Sequence, residues 1–146
     1  MIEHRQQIRI RTSADLVFDE CVRWWRSPWW PPVPVEFREL QRHAGEWVYE
    51  QKINMPCGPR WRVRQVRADR GAKRVERRFT RGVFSGGGEL IDLLPEEAST
   101  KISYEFSFPS RNPAVVCAWY AVAKYFHRQS VQRVFHAMKT YLEADE

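Results

Sequence analysis

Glu89, Asp92, Tyr104 and His127 carry the side chains that move protons. A carboxylate, a phenol and an imidazole within hydrogen-bond reach make a general acid–base set. Spacing alone does not bring these four together, so their use depends on a fold that does. Other chemistries find less to work with. There is no GxSxG nucleophile motif and no Cys/His signature. Cys21, Cys57 and Cys117 are far apart with no CxxC, which reads as reduced thiols. His4, His43, His127 and His136 show no ligand spacing, so neither a metal nor any other cofactor is implied. In "SGGGE" (85–89) no Lys-Ser/Thr follows and no helix opens. Those glycines mark a bulge or tight curvature rather than a phosphate loop.

A second constellation is polar residues set among aromatic ones. Period-two alternation puts Trp47, Tyr49, Gln51, Ile53 and Met55 on one strand face, and Ile102, Tyr104, Phe106 and Phe108 on another. Arg77 falls between Val75 and Phe79 on a face that should be covered. It is either a true inward arginine, an edge position or a sign that the register slips. A few convergent polar groups among aromatics is how small-molecule pockets are built. The candidate ligand-binding set is Trp29, Trp30, Tyr49, Gln51, Trp61, Arg77, Phe79, Tyr104, Phe106, Trp119, Ala123 and His127. For the aromatics the competing role is plain core filling, and for His127 a satisfied core histidine.

"RSPWWPPVPV" (26–35) follows Trp24 and Trp25 and holds four of the nine prolines. Proline excludes both helix interior and central strand, so this is a stiff connection. Trp29 and Trp30 either pack it onto the core or form a gate over a cavity.

These side chains need elements to position them. Residues 3–11 alternate and read as a strand. Thr12 or Ser13 caps a short helix whose stripe is Val17, Phe18, Cys21, Trp24 and Trp25, with Pro28 as its stop. Cys21 should be buried and inert on that stripe, and Cys57 in the "PCGP" turn the more accessible thiol. Strands follow at 35–40, 46–55, 60–68, 73–81, 87–95 and 99–109. Asn112 and Pro113 then open a helix of roughly thirty residues. Its stripe is Val116, Trp119, Ala123, Phe126, Ser130, Val134, Met138 and Tyr141, with Lys124 and Arg128 opposite. One antiparallel sheet with a covered face and a wet face, gripping one long helix, is an α+β helix-grip architecture.

In that order of elements the chain resembles the START-like (SRPBCC) superfamily, which includes polyketide cyclase/dehydrase-like proteins. The resemblance runs through "TSADLVFDECVRW", "SPWWPPVPVEFREL" and "FHRQSVQRVFHAMKTYLE" and spans residues 1–146 as a single domain. It implies a cavity between sheet and helix for a lipid, polyketide or aromatic molecule. It also admits a cyclase-like enzyme that works by proximity and acid–base catalysis without a cofactor.

Charge suggests a competing role. Residues 60–81 hold nine Arg and one Lys against Asp69 and Glu76, a net +8 in a chain of +6 overall. Alternation sends Arg62, Arg64 and Arg78 to the open sheet face. That face is either simply solvated or an interaction surface for an acidic macromolecule. No recognition helix or RNA-binding motif accompanies it, so nucleic acid is the less favoured partner. No apolar run approaches a membrane span, and the opening residues lack a signal peptide's apolar centre. The expected location is cytoplasmic.

Overall fold

The computed structural model describes residues 1–43, 46–54 and 58–144. Seven strands form one antiparallel sheet: β1 (Ile2–Ile10), β2 (Val35–His43), β3 (Glu46–Ile53), β4 (Arg60–Asp69), β5 (Arg74–Gly82), β6 (Gly88–Pro95) and β7 (Thr100–Phe108). Their order is β1-β7-β6-β5-β4-β3-β2, so β1 and β2 are the edges and β5 is the centre. β6 and β7 show how alternation becomes layering. Inward Glu89, Ile91 and Leu93 are buried, as are Phe106, Tyr104 and Ile102 across from them, while the residues between them are more exposed. The expected strand pairs all form; Met55, Pro56 and Cys57, and with them the first half of the "PCGP" turn, lie outside the described residues.

The glycine run does what a wrapped sheet requires. A Cβ on Gly87 would sit 2.1 Å from the Ser107 carbonyl oxygen, and one on Gly88 2.3 Å from that of Arg77. Any side chain there would force β6 away from its neighbours.

Helix α1 (Ala14–Arg23) starts at Ser13, whose side chain accepts from the Leu16 amide. Val17, Phe18 and Cys21 are buried, as the stripe predicts. The helix ends well before Pro28. Trp24 adopts φ 45°, its amide bonding back to the Glu20 carbonyl, and a 3-10 turn (Trp24–Arg26) follows. Leaving the helix there swings the Trp24 ring beneath the sheet, against Trp30 and Phe135.

The C-terminal helix covers the sheet in three continuous parts: α2 (Pro113–Ala118), a π turn (Trp119–Ala123) and α3 (Lys124–Glu143). Asn112 caps it and Pro113 stands in the first turn. The π turn corrects the expected stripe. A π turn adds one residue to the helical repeat, so later positions step forward. Val131 and Phe135, one position beyond Ser130 and Val134, join the buried face, and Tyr141 is 41% exposed while Leu142 packs on the core. Val134 and Met138 are buried as expected. Among the described residues no helix is long and apolar enough to cross a membrane.

Candidate functional site

A cavity of about 100 Å³ lies between the inner sheet face and the C-terminal helix. The sheet supplies Gln51, Trp61, Phe79, Glu89, Tyr104 and Phe106; the helix supplies Trp119, Ala123, Phe126, His127, Ser130, Val131 and Val134. Trp24, Trp30, Val33, Val35 and Phe37 close the side nearest the proline-rich connection, and Phe84 closes the end under the β5–β6 turn. The deep residues from the sheet are buried, whereas Trp30, Val33, Val35, Phe37, Ala123 and Phe126 are half-buried. The rim therefore lies between the connection and the middle of the helix.

The walls are mostly ring against ring. Phe106 stacks on Trp119 at 5.6 Å between centroids, and Phe84 meets Trp61, Phe106 and Phe108 edge-on at 4.8–5.2 Å. Edge-to-face and offset contacts at these distances are the favoured aromatic geometries.

Among the polar groups that interrupt this surface, three are linked. The Tyr104 hydroxyl donates to Glu89 Oε2 at 2.7 Å and stands 3.4 Å from His127 Nε2. Burial pushes the Glu89 carboxyl above its ordinary pKa, while the Arg77 charge and the Tyr104 hydrogen bond pull against that rise. Burial raises the Tyr104 phenol as well, with the Glu89 charge adding to it. His127 is pulled down to about 3 by burial and by neighbouring His4, so its imidazole is neutral. The chemistry of such a row is definite. With Glu89 ionised, Tyr104 donates to it and its oxygen is left to accept from His127. With Glu89 protonated, Tyr104 can turn its proton to the imidazole instead. Asp92 does not join them: it lies on the open face and accepts from Arg74 Nε at 2.7 Å. A further polar pair is Gln51, whose Oε1 accepts from Trp61 Nε1 at 2.9 Å.

Nine of the twelve candidate residues line the cavity: Trp30, Gln51, Trp61, Phe79, Tyr104, Phe106, Trp119, Ala123 and His127. Trp29, Tyr49 and Arg77 are not among its lining residues. Trp29 is buried and its Nε1 donates to Glu20 Oε2 at 2.6 Å, which makes it a plug under the connection. Glu20 also accepts from Ser27 and Arg23. Burial alone would raise the Glu20 pKa, but these hydrogen bonds outweigh it and hold it low. Tyr49 is fully buried beneath Trp25, Phe37 and Trp47. Arg77 is inward in the central strand, so neither an edge nor a register slip explains it. Its Nε donates to Gln65 Oε1 at 3.1 Å, its Nη2 to the Cys21 carbonyl, and its guanidinium lies 4.8 Å over the Trp24 ring. It faces Glu89 directly across the β5–β6 pair.

Sequence reading left several lining residues out of the set. Glu89, named only as an acid–base candidate, was recoverable for the lining too, since it alternates with Ile91 and Leu93 on the covered face of β6. Trp24 depends on a left-handed backbone position that composition does not announce. Phe84 sits in a turn, where no periodicity marks it.

The sequence matches no family model and no curated protein. Solved structures do match it. The protein TTHA0849 from Thermus thermophilus has a TM-score of 0.77 at 15% identity, covering 99% of both chains. The Zhui aromatase/cyclase from a Streptomyces species has 0.68 at 13%, covering 96% of this chain and 95% of that one. A START superfamily protein from Mycobacterium smegmatis has 0.67 at 10%, covering 99% of both. With its seven antiparallel strands closed over one C-terminal helix, this chain has the START-like helix-grip fold.

Proposed function

We propose that the protein binds a hydrophobic, ring-containing small molecule bearing one polar group between its sheet and its C-terminal helix. The carrying observation is the row Glu89–Tyr104–His127 set in an otherwise mostly apolar, aromatic-rich cavity. Aromatic walls take up the ligand's rings, and the row orients its hydroxyl or carbonyl. A cavity of about 100 Å³ suits a single-ring molecule. Engineered apolar cavities of roughly 150 Å³ hold benzene, whereas drug-sized ligands need about 300 Å³ or more. A polyketide or a lipid therefore requires the half-buried rim at Trp30 and Phe126 to move outward.

The fold shared with an aromatase/cyclase supports extending this reading to catalysis. In that version the cavity holds a reactive chain near its bonding geometry. Tyr104 and His127 pass a proton, with Glu89 as its store.

The test is a pair of matched single-ring probes, p-cresol and toluene, titrated against tryptophan emission. Tighter binding of p-cresol, lost in Tyr104→Phe, is the expected result. Equal binding of both probes by the wild type would sink the role given to the polar row. Native mass spectrometry of the purified protein then tests for a co-purified ligand and gives its mass.

A further inference from the structure

Apart from the cavity, the C-terminal helix has an outer surface. From Pro113 to Ala123 the helix carries no charged side chain: "PAVVCAWYAVA" is apolar or aromatic all round. A helix of that kind is normally enclosed. Here Trp119 alone is buried in that stretch, and the outer side stands in solvent. Tyr120 is 55% exposed, Val122 69% and Tyr125 63%, with Cys117 exposed beside them. Contiguous exposed apolar surface of this sort marks a contact site.

Charge says what the contact is. Between Glu105 and Glu143 there is no acidic residue, while Arg111, Lys124, Arg128, Arg133 and Lys139 are all basic. Lys124 Nζ lies 5.7 Å from the centre of the Tyr120 ring, at the edge of the apolar stretch. An apolar and tyrosine-bearing helical face whose own neighbouring charges are all cations is the pattern of a helix lying in an interface with anionic headgroups. A second copy of the chain fits less well, because pairing these helices would bring two all-basic borders together.

We propose that the outer face of residues 113–125 docks on an anionic lipid surface, with Val122, Tyr120 and Tyr125 entering the headgroup boundary and Lys124 and Arg128 meeting the lipid charge. The inner side of the same segment presents Trp119 and Ala123 to the cavity. Docking therefore sets the cavity wall against the membrane, although the proposal does not depend on what the cavity holds.

The experiment is vesicle flotation with the full chain. One vesicle set is phosphatidylcholine alone and the other equal parts phosphatidylcholine and phosphatidylglycerol. The protein is expected to float with the anionic vesicles. Tyr120→Ser/Val122→Ser/Tyr125→Ser should reduce partitioning about tenfold or more, since apolar insertion is lost. Lys124→Gln and Arg128→Gln should each reduce it about fivefold, as expected for a charge near a lipid surface. Val122→Asp alone, at the most exposed position, serves if the triple variant does not fold. No flotation of the wild type, or flotation unchanged by Val122→Asp, overturns the proposal. Sedimentation of the wild type as a dimer that Val122→Asp converts to monomer overturns it in favour of a second copy.

Discussion

The two faces of β4 and β5 hold the same residue type under opposite conditions. Arg77 points inward and is 1% exposed, while Arg64 and Arg78 point outward and face each other across the strand pair. Inside, one guanidinium is held by Gln65, the Cys21 carbonyl and the Trp24 face, opposite Glu89. Outside, several cations of residues 60–81 are matched by carboxylates: Arg60 by Glu50, Arg70 by Asp19, Lys73 by Asp15, Arg74 by Asp92 and Arg78 by Glu76. The formal +8 of the segment therefore overstates the charge left to attract an acidic partner. Burial also changes what one arginine is worth. A desolvated cation is tolerable only with its partners in place, whereas a solvated one exchanges them with water.

Removing the inner arginine breaks the comparison most sharply. Arg77→Leu leaves Glu89 buried without its facing cation and should cost about 3–5 kcal/mol in chemical denaturation. The double change Arg77→Leu/Glu89→Leu should recover much of that loss. If the single and double variants are equally unstable, the two side chains are not coupled.

The adjacent tryptophans of the connection give the next effect. Trp29→Phe deletes a hydrogen bond to the buried Glu20 carboxylate and should cost about 1.5–3 kcal/mol. Trp30→Phe should cost less and instead alter ligand off-rates, because Trp30 belongs to the rim. Replacing Pro31 and Pro32 with alanine should likewise speed release, by loosening the connection. Off-rates constant across this series would leave the whole stretch as packing.

His127 supplies a pH-dependent contrast. Its folded pKa, about 3, lies below the ordinary value of 6.5, so the unfolded chain takes up the proton first. The stability owed to the neutral imidazole is complete above that upper value and is lost as pH falls toward the lower one. The slope reaches about 1.4 kcal/mol per pH unit. Glu89 has the opposite sign, since its pKa is raised. Wild type and His127→Gln should therefore be compared, with the variant showing a flatter acid limb. Parallel limbs would mean that His127 is reached by water. The smallest effect belongs outside: Arg64→Gln should change stability by no more than about 0.5 kcal/mol.

Sequence reading recovered the sheet because alternation is set by the pleat itself. It placed Arg77 on the covered face, yet the edge and slip alternatives stayed open because the strand order was not known. The helix was harder. Its stripe held through Val134 and Met138 but missed Val131 and Phe135 and failed at Tyr141, since the π turn leaves no trace in residue type. The cavity walls were found where they lie on periodic elements, as with Trp61, Phe106 and Trp119. They were missed where a turn or a left-handed residue supplies them, as with Phe84 and Trp24.

Cys21 carries a consequence for kinetics. It is wholly enclosed, burial raises its thiol to about 12, and its carbonyl accepts from Arg77. A reagent reaches that sulfur only during moments when α1 lifts from the sheet, whereas Cys117 is open to it at all times. The chain thus contains a stopwatch and its reference. The labelling rate of Cys21, read against that of Cys117, times how often the first helix comes away.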